Sequence, residues 1–123
     1  MGGKPILSAD AILSADDLTV ELVEVEEWGG SVRVRTLTGR ERDRLEADLL
    51  SSKKNGAAIN LDNVRAKLVV ATAIDEEGKP LFQPGAEEAL GKKSGAALTK
   101  VATVAQRLAG LSTTDVEELR KNS

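Results

Sequence analysis

"TVELVEVEEWGGSVRVR", residues 19 to 35, decides the fold. In the second half of its first segment, Val23 and Val25 face one way and Glu24 and Glu26 the other, the period-two signature of a half-buried strand. Val32-Arg33-Val34-Arg35 alternates again. Between the two runs, Trp28-Gly29-Gly30 supplies glycines that tolerate the positive φ values of a reversal, so the stretch predicts a β-hairpin. If the valines share an inner face, Glu24, Glu26, Arg33 and Arg35 share the outer one. Opposite-charge cross-strand pairs there are expected to contribute about 0.2–1 kcal/mol each.

Working outward toward the C-terminus, Thr38-Gly39-Arg40-Glu41 reads as a capping box that starts a helix. Leu45 and Leu49 share one face of that helix. Arg42 with Glu46 and Arg44 with Asp48 fall at i,i+4 on the solvent side. The helix is expected to end near Ser52, giving way to a polar loop, "SSKKNGAAIN". A heavily buried helix is then expected over Leu61 to Ile74, with a strand over "KLVVATAI" as the alternative. "DEEG", residues 75 to 78, predicts a turn into an extended "KPLF". A short helix over Ala86 to Leu90, closed by Gly91, precedes a longer one capped by Ser94 and ended by Gly110. The longer helix carries Leu98, Val101, Ala105 and Leu108 as a narrow apolar stripe. A last short helix is expected from Ser112.

Upstream of the hairpin, "ILSAD" occurs at Ile6 to Asp10 and again at Ile12 to Asp16. Residues 1–18 are expected to form a flexible leader, because termini not tied into a sheet or core are loose. Residues 19–121 are expected to form a single domain. The fold class is α+β, an N-terminal β-hairpin followed by a mostly helical domain of four to five helices.

Composition narrows the chemistry. The 123 residues contain no cysteine and no histidine. That removes thiolate nucleophiles, Ser-His triads and the commonest zinc ligands. With 17 basic against 20 acidic residues the net charge is −3, so no long-range positive field attracts nucleic acid or anionic lipid. Trp28 and Phe82 are the only aromatics, so stacking platforms for bases are scarce. The leader's apolar stretch is broken by Asp10 and Asp16, and no run approaches a membrane span, so neither export nor membrane insertion is expected.

Three local patterns invite chemistry and fail. "GKKSG", residues 91 to 95, places Lys93 where a phosphate-binding loop needs a hydroxyl. Asp75-Glu76-Glu77-Gly78 lacks the alternating ligands of a calcium loop. Glu87-Glu88 and Glu117-Glu118 are adjacent on expected helices, about 100° apart, and cannot share a ligand. No catalytic, cofactor-binding or metal-ligating residue is therefore expected, and the chain is expected not to be an enzyme.

Five of the eight arginines, Arg33, Arg35, Arg40, Arg42 and Arg44, fall within twelve residues, interleaved with Glu41, Asp43, Glu46 and Asp48. That near-cancellation disfavours nucleic acid and favours a paired surface. Arginine and tryptophan are the preferred anchors of protein interfaces. Trp28, Arg33, Arg35, Arg40 and Arg44 are accordingly candidate protein-docking residues, and Leu98, Val101, Ala105 and Leu108 form a stripe that is either core, the commoner use of such a stripe, or a candidate docking groove.

The opening "VEVEEWGGSVRVRTLTGRERDRLE", the central "RAKLVVATAIDEEGKPLF" and the closing "EEALGKKSGAALTKVATVAQRLAGLSTTDVEEL" together resemble the tail assembly chaperones of long-tailed bacteriophages and related prophages. The resemblance spans about Thr19 to Lys121 and includes no catalytic signature. It implies a non-enzymatic protein of the host cytoplasm, absent from the finished virion. Its implied partners are the tape-measure protein and tail-tube subunits. A further expectation, separate from the resemblance, is self-association, with several copies coating one long partner. In that family a second, longer product is often made by ribosomal frameshifting. The expectation from another class is a small phage regulatory or nucleic-acid-binding protein that uses the Arg33 to Arg44 cluster.

Overall fold

A computed structural model describes residues 3–54 and 61–110. Their elements run α1 (Ala9–Ser14), β1 (Val20–Val25), β2 (Gly30–Arg35), α2 (Gly39–Lys54), α3 (Leu61–Thr72), β3 (Ala73–Ile74), α4 (Glu87–Leu90) and α5 (Gly95–Leu108). The fold is α+β, with five helices and one antiparallel sheet of order β1-β2-β3 among the described residues.

The hairpin forms, with a longer reversal than a two-residue turn. Glu26–Trp28 make one 3₁₀ turn, and Gly29 closes it in the left-handed region at φ 75. This connection sets the register: Val23 lies opposite Val32, and Glu21 opposite Val34. Val23, Val25 and Val34 are buried on the inner face. The outer face departs from expectation. Leu22 lies opposite Arg33, Val20 opposite Arg35 and Glu24 opposite Ser31, so glutamate and arginine do not oppose one another. Glu26 has left the strand for the turn, and valine burial fixes the register before surface charge contributes.

Both halves of the capping box are present: Thr38 N–H donates to Glu41 Oε1 at 2.9 Å, and Glu41 N–H to Thr38 Oγ1 at 3.2 Å. Helix α2 runs to Lys54 rather than ending near Ser52, so "SSKK" belongs to the helix. The rest of the expected loop, and the expected helix from Ser112, lie outside the described residues.

The helix expected to reach Ile74 stops at Thr72. Ala73 and Ile74 instead pair with Val34 and Arg33 as a third strand. Buried Thr72 marks the changeover, its hydroxyl donating back to the Leu68 carbonyl at 2.8 Å, a bond that competes with helix continuation. The following turn is held by Asp75, whose Oδ1 accepts from Glu77 N–H at 2.8 Å and Lys79 N–H at 3.0 Å. Gly78 reverses the chain at φ 85, and Pro80 bridges back to Ile74.

Helix α5 starts where Ser94 Oγ accepts from Ala97 N–H at 3.2 Å, and Gly110 at φ 74 follows its last turn. It is the hub of the core. Leu98, Val101 and Ala102 pack with Val23, Val25, Val34, Ala66 and Val69 in one buried cluster. Ala105 and Ala109 join Leu37, Leu45, Leu49, Val64 and Leu68 in a second. Each fully buried Val or Leu contributes about 1.5–3 kcal/mol, so these helix and sheet faces are where the stability lies.

The segment preceding Thr19 carries α1, capped by Ser8, whose Oγ accepts from Ala11 N–H at 3.1 Å. None of the residues of α1 is buried.

Candidate protein-docking surface

The apolar stripe of α5 is not a groove. Leu98, Val101 and Ala105 are buried at 3%, 0% and 0% exposure, and Leu108 is half-buried against the same core. The three buried positions are therefore corrected from docking surface to core. The hairpin needs a cover for its valine face, and α5 is the amphipathic helix that provides it.

The arginines separate by role. Arg35 grips Glu41 with both ends of its guanidinium, Nη1 to Oε1 at 2.8 Å and Nη2 to Oε2 at 2.5 Å. This fork joins β2 to the first turn of α2. Arg35, and then the Thr38 backbone amide, hold the Glu41 carboxyl down to about 2, while burial opposes the shift. The same bonds push Arg35 upward. Arg42 pairs with Glu46 at 3.1 Å, at the expected i,i+4 spacing. Arg33 Nη1 donates to the Asp75 carbonyl at 3.3 Å and ties β2 to the turn after β3. Arg40 and Arg44 are exposed.

Arg35 and Arg44 meet at a cleft of ≈ 230 Å³ between α2, α3 and the Pro80 segment. Leu45, Val70, Ala71 and Pro80 supply apolar lining; Arg35, Arg44, Lys67, Glu41, Asp48 and Glu87 also line it. An apolar lining with charges of both signs suits an amphipathic polypeptide, whose apolar residues enter while its own charges pair at the rim. Arg33 and Arg40 are not among the cleft residues. Trp28 sits away from the cleft on the 3₁₀ turn, half-buried against the first core cluster.

Two ion pairs that spacing does not reveal fasten α5 to the hairpin. Lys100 Nζ lies 2.8 Å from Glu27 Oε1, and Arg107 Nη1 2.8 Å from Glu21 Oε2. Hydrogen bonds from these cations lower both carboxyls. Their partners are 73 and 86 residues apart in the chain, so only the packing of α5 across the sheet brings them together.

The resolved shifts all stabilise the charged form: Glu21, Glu27 and Glu41 go down, and Arg35, Lys100 and Arg107 go up. Among the described residues, no group of three or more Asp or Glu side chains is placed to hold a metal ion, and every buried side-chain N or O atom has a hydrogen-bond partner. No described helix is long and apolar enough to cross a membrane. What this architecture presents is a class of surface, a small α+β scaffold displaying a cleft lined by apolar residues and by charges of both signs. No family model, curated protein or solved structure matches the chain.

Proposed function

We propose that this chain is a non-enzymatic tail assembly chaperone of a long-tailed bacteriophage, acting in the host cytoplasm and absent from the mature virion. It binds helical segments of the tape-measure protein, and tail-tube subunits, while the tail is built. The observation that carries the proposal is the cleft, where Arg35 and Arg44 flank Leu45, Val70 and Ala71. A tape-measure protein is long and helical by the same family resemblance, and its apolar faces need cover until tube subunits surround it. A cleft with a mixed-charge rim gives such cover reversibly, because rim pairs in water contribute little individually and release readily.

Co-expression with the tape-measure protein, followed by affinity capture of this chain, tests the proposal. The tape-measure protein is expected to be retained, and Arg44→Glu, an exposed substitution, is expected to weaken retention without unfolding the domain. A folded wild-type chain that retains none of it contradicts the proposal. Binding to DNA or RNA that weakens steeply with added salt would favour a nucleic-acid role for the arginine cluster instead.

A further inference from the structure

The outer face of the hairpin carries exposed apolar residues beside Glu24, Ser31, Arg33 and Arg35. Leu22 is 67% exposed, Val20 52% and Leu18 46%, and β1 is an edge strand of the sheet. Arg33 stands beside Leu22 on that face, across the ladder. Edge strands in stable monomers are ordinarily blunted by charge or proline; this one has Glu24 on its outer face, but Val20 and Leu22 beside it are apolar and exposed.

The same chain holds a segment of matching character. In the leader, Ile6 is 101% exposed, Leu7 61%, Ile12 57% and Leu13 84%. Each "ILSAD" copy delivers an apolar pair followed by an aspartate, Asp10 in the first and Asp16 in the second, and Asp17 follows. The segment already has local order, with Ser8 capping α1 and the Ser14 hydroxyl donating to the Asp10 carbonyl at 2.8 Å. Its apolar side chains nevertheless touch no core. After α1 the chain leaves extended, Ala15 at φ −68 and ψ 135, and passes directly into Thr19, which is fastened to Thr36. The leader's apolar residues and those of the face thus both remain exposed, neither covering the other.

We infer that the leader of a second copy of this chain covers the outer face of the hairpin. Ile12 and Leu13 pack on Val20 and Leu22, and the leader aspartates approach Arg33. Two copies do this reciprocally about a two-fold axis, so that both leaders and both faces are covered. The surface shares only Arg35 with the cleft, and the inference stands without the tape-measure proposal.

Sedimentation velocity of the full chain over a range of concentrations tests it. The wild type is expected to form a dimer as concentration rises. A leader variant, Ile12→Asp with Leu13→Asp, and a face variant, Leu22→Asp, are each expected to stay monomeric over that range. Mixed in equal amounts they are expected to associate again, more weakly than wild type, because the intact leader of one meets the intact face of the other. Leu22→Thr, which suits a strand, repeats the face test should the aspartate disturb folding. A wild type that stays monomeric, as it would with the leader folded on its own face, overturns the inference. So do single variants that dimerise as wild type does, or a mixture that does not associate.

Discussion

Both faces of the β1-β2 hairpin carry branched apolar residues, and these meet opposite fates. On the inner face Val23, Val25 and Val34 are 8%, 0% and 0% exposed, closed over by α5; on the outer face Val20 and Leu22 are 52% and 67% exposed. Alternation along a strand makes the two sets neighbours in sequence and strangers in space. The inner face holds the domain together. The outer apolar residues contribute little to folding, which is why the inferred contact with a second copy is placed on them.

The sharpest way to break this contrast is a charge on each side. Val101→Asp places an unpaired carboxylate against the inner face at a position with 0% exposure. It is expected to cost about 4 kcal/mol or more and to unfold the chain in urea denaturation. Leu68→Ala, in the cluster between α2 and α3, is expected to cost about 2–5 kcal/mol by the same measurement. Leu22→Asp, on the outer face, is expected to stay within about 0.5 kcal/mol of wild type while altering association.

Between those extremes lies the Arg35–Glu41 fork. Glu41→Gln is expected to cost about 1–2 kcal/mol near neutral pH, allowing for solvent screening of a half-buried pair. The folded state holds the carboxyl at about 2 against an ordinary 4.5, so its contribution is complete above pH 4.5 and is lost as pH falls toward 2. Over that window the thermal midpoint of wild type is expected to fall more steeply than that of Glu41→Gln. Parallel curves would show that the fork does not couple to folding.

Local signals in the sequence carried much of this architecture. Alternating valines gave the hairpin, the Thr38–Glu41 box gave the start of α2, and Ser94 and Gly110 bounded α5, because each acts over a few residues. What escaped depends on distant partners. The third strand exists because β2 offers Ala73 and Ile74 a ladder in exchange for the end of a helix. The Glu27–Lys100 and Glu21–Arg107 pairs, and the cleft that brings Arg44 beside Val70, are likewise products of packing. The α5 stripe could be read either as core or as groove, since periodicity identifies an apolar face without saying what covers it.

The most direct measurement of the central claim, that this scaffold works by covering another polypeptide, is hydrogen exchange on the full chain with and without a saturating tape-measure segment. Added protection is expected in the cleft-lining parts of α2 and α3, around Leu45 and Val70, with the α5 amides at Val101 and Ala105 little changed. Exchange that is identical with and without the segment at every amide would contradict it.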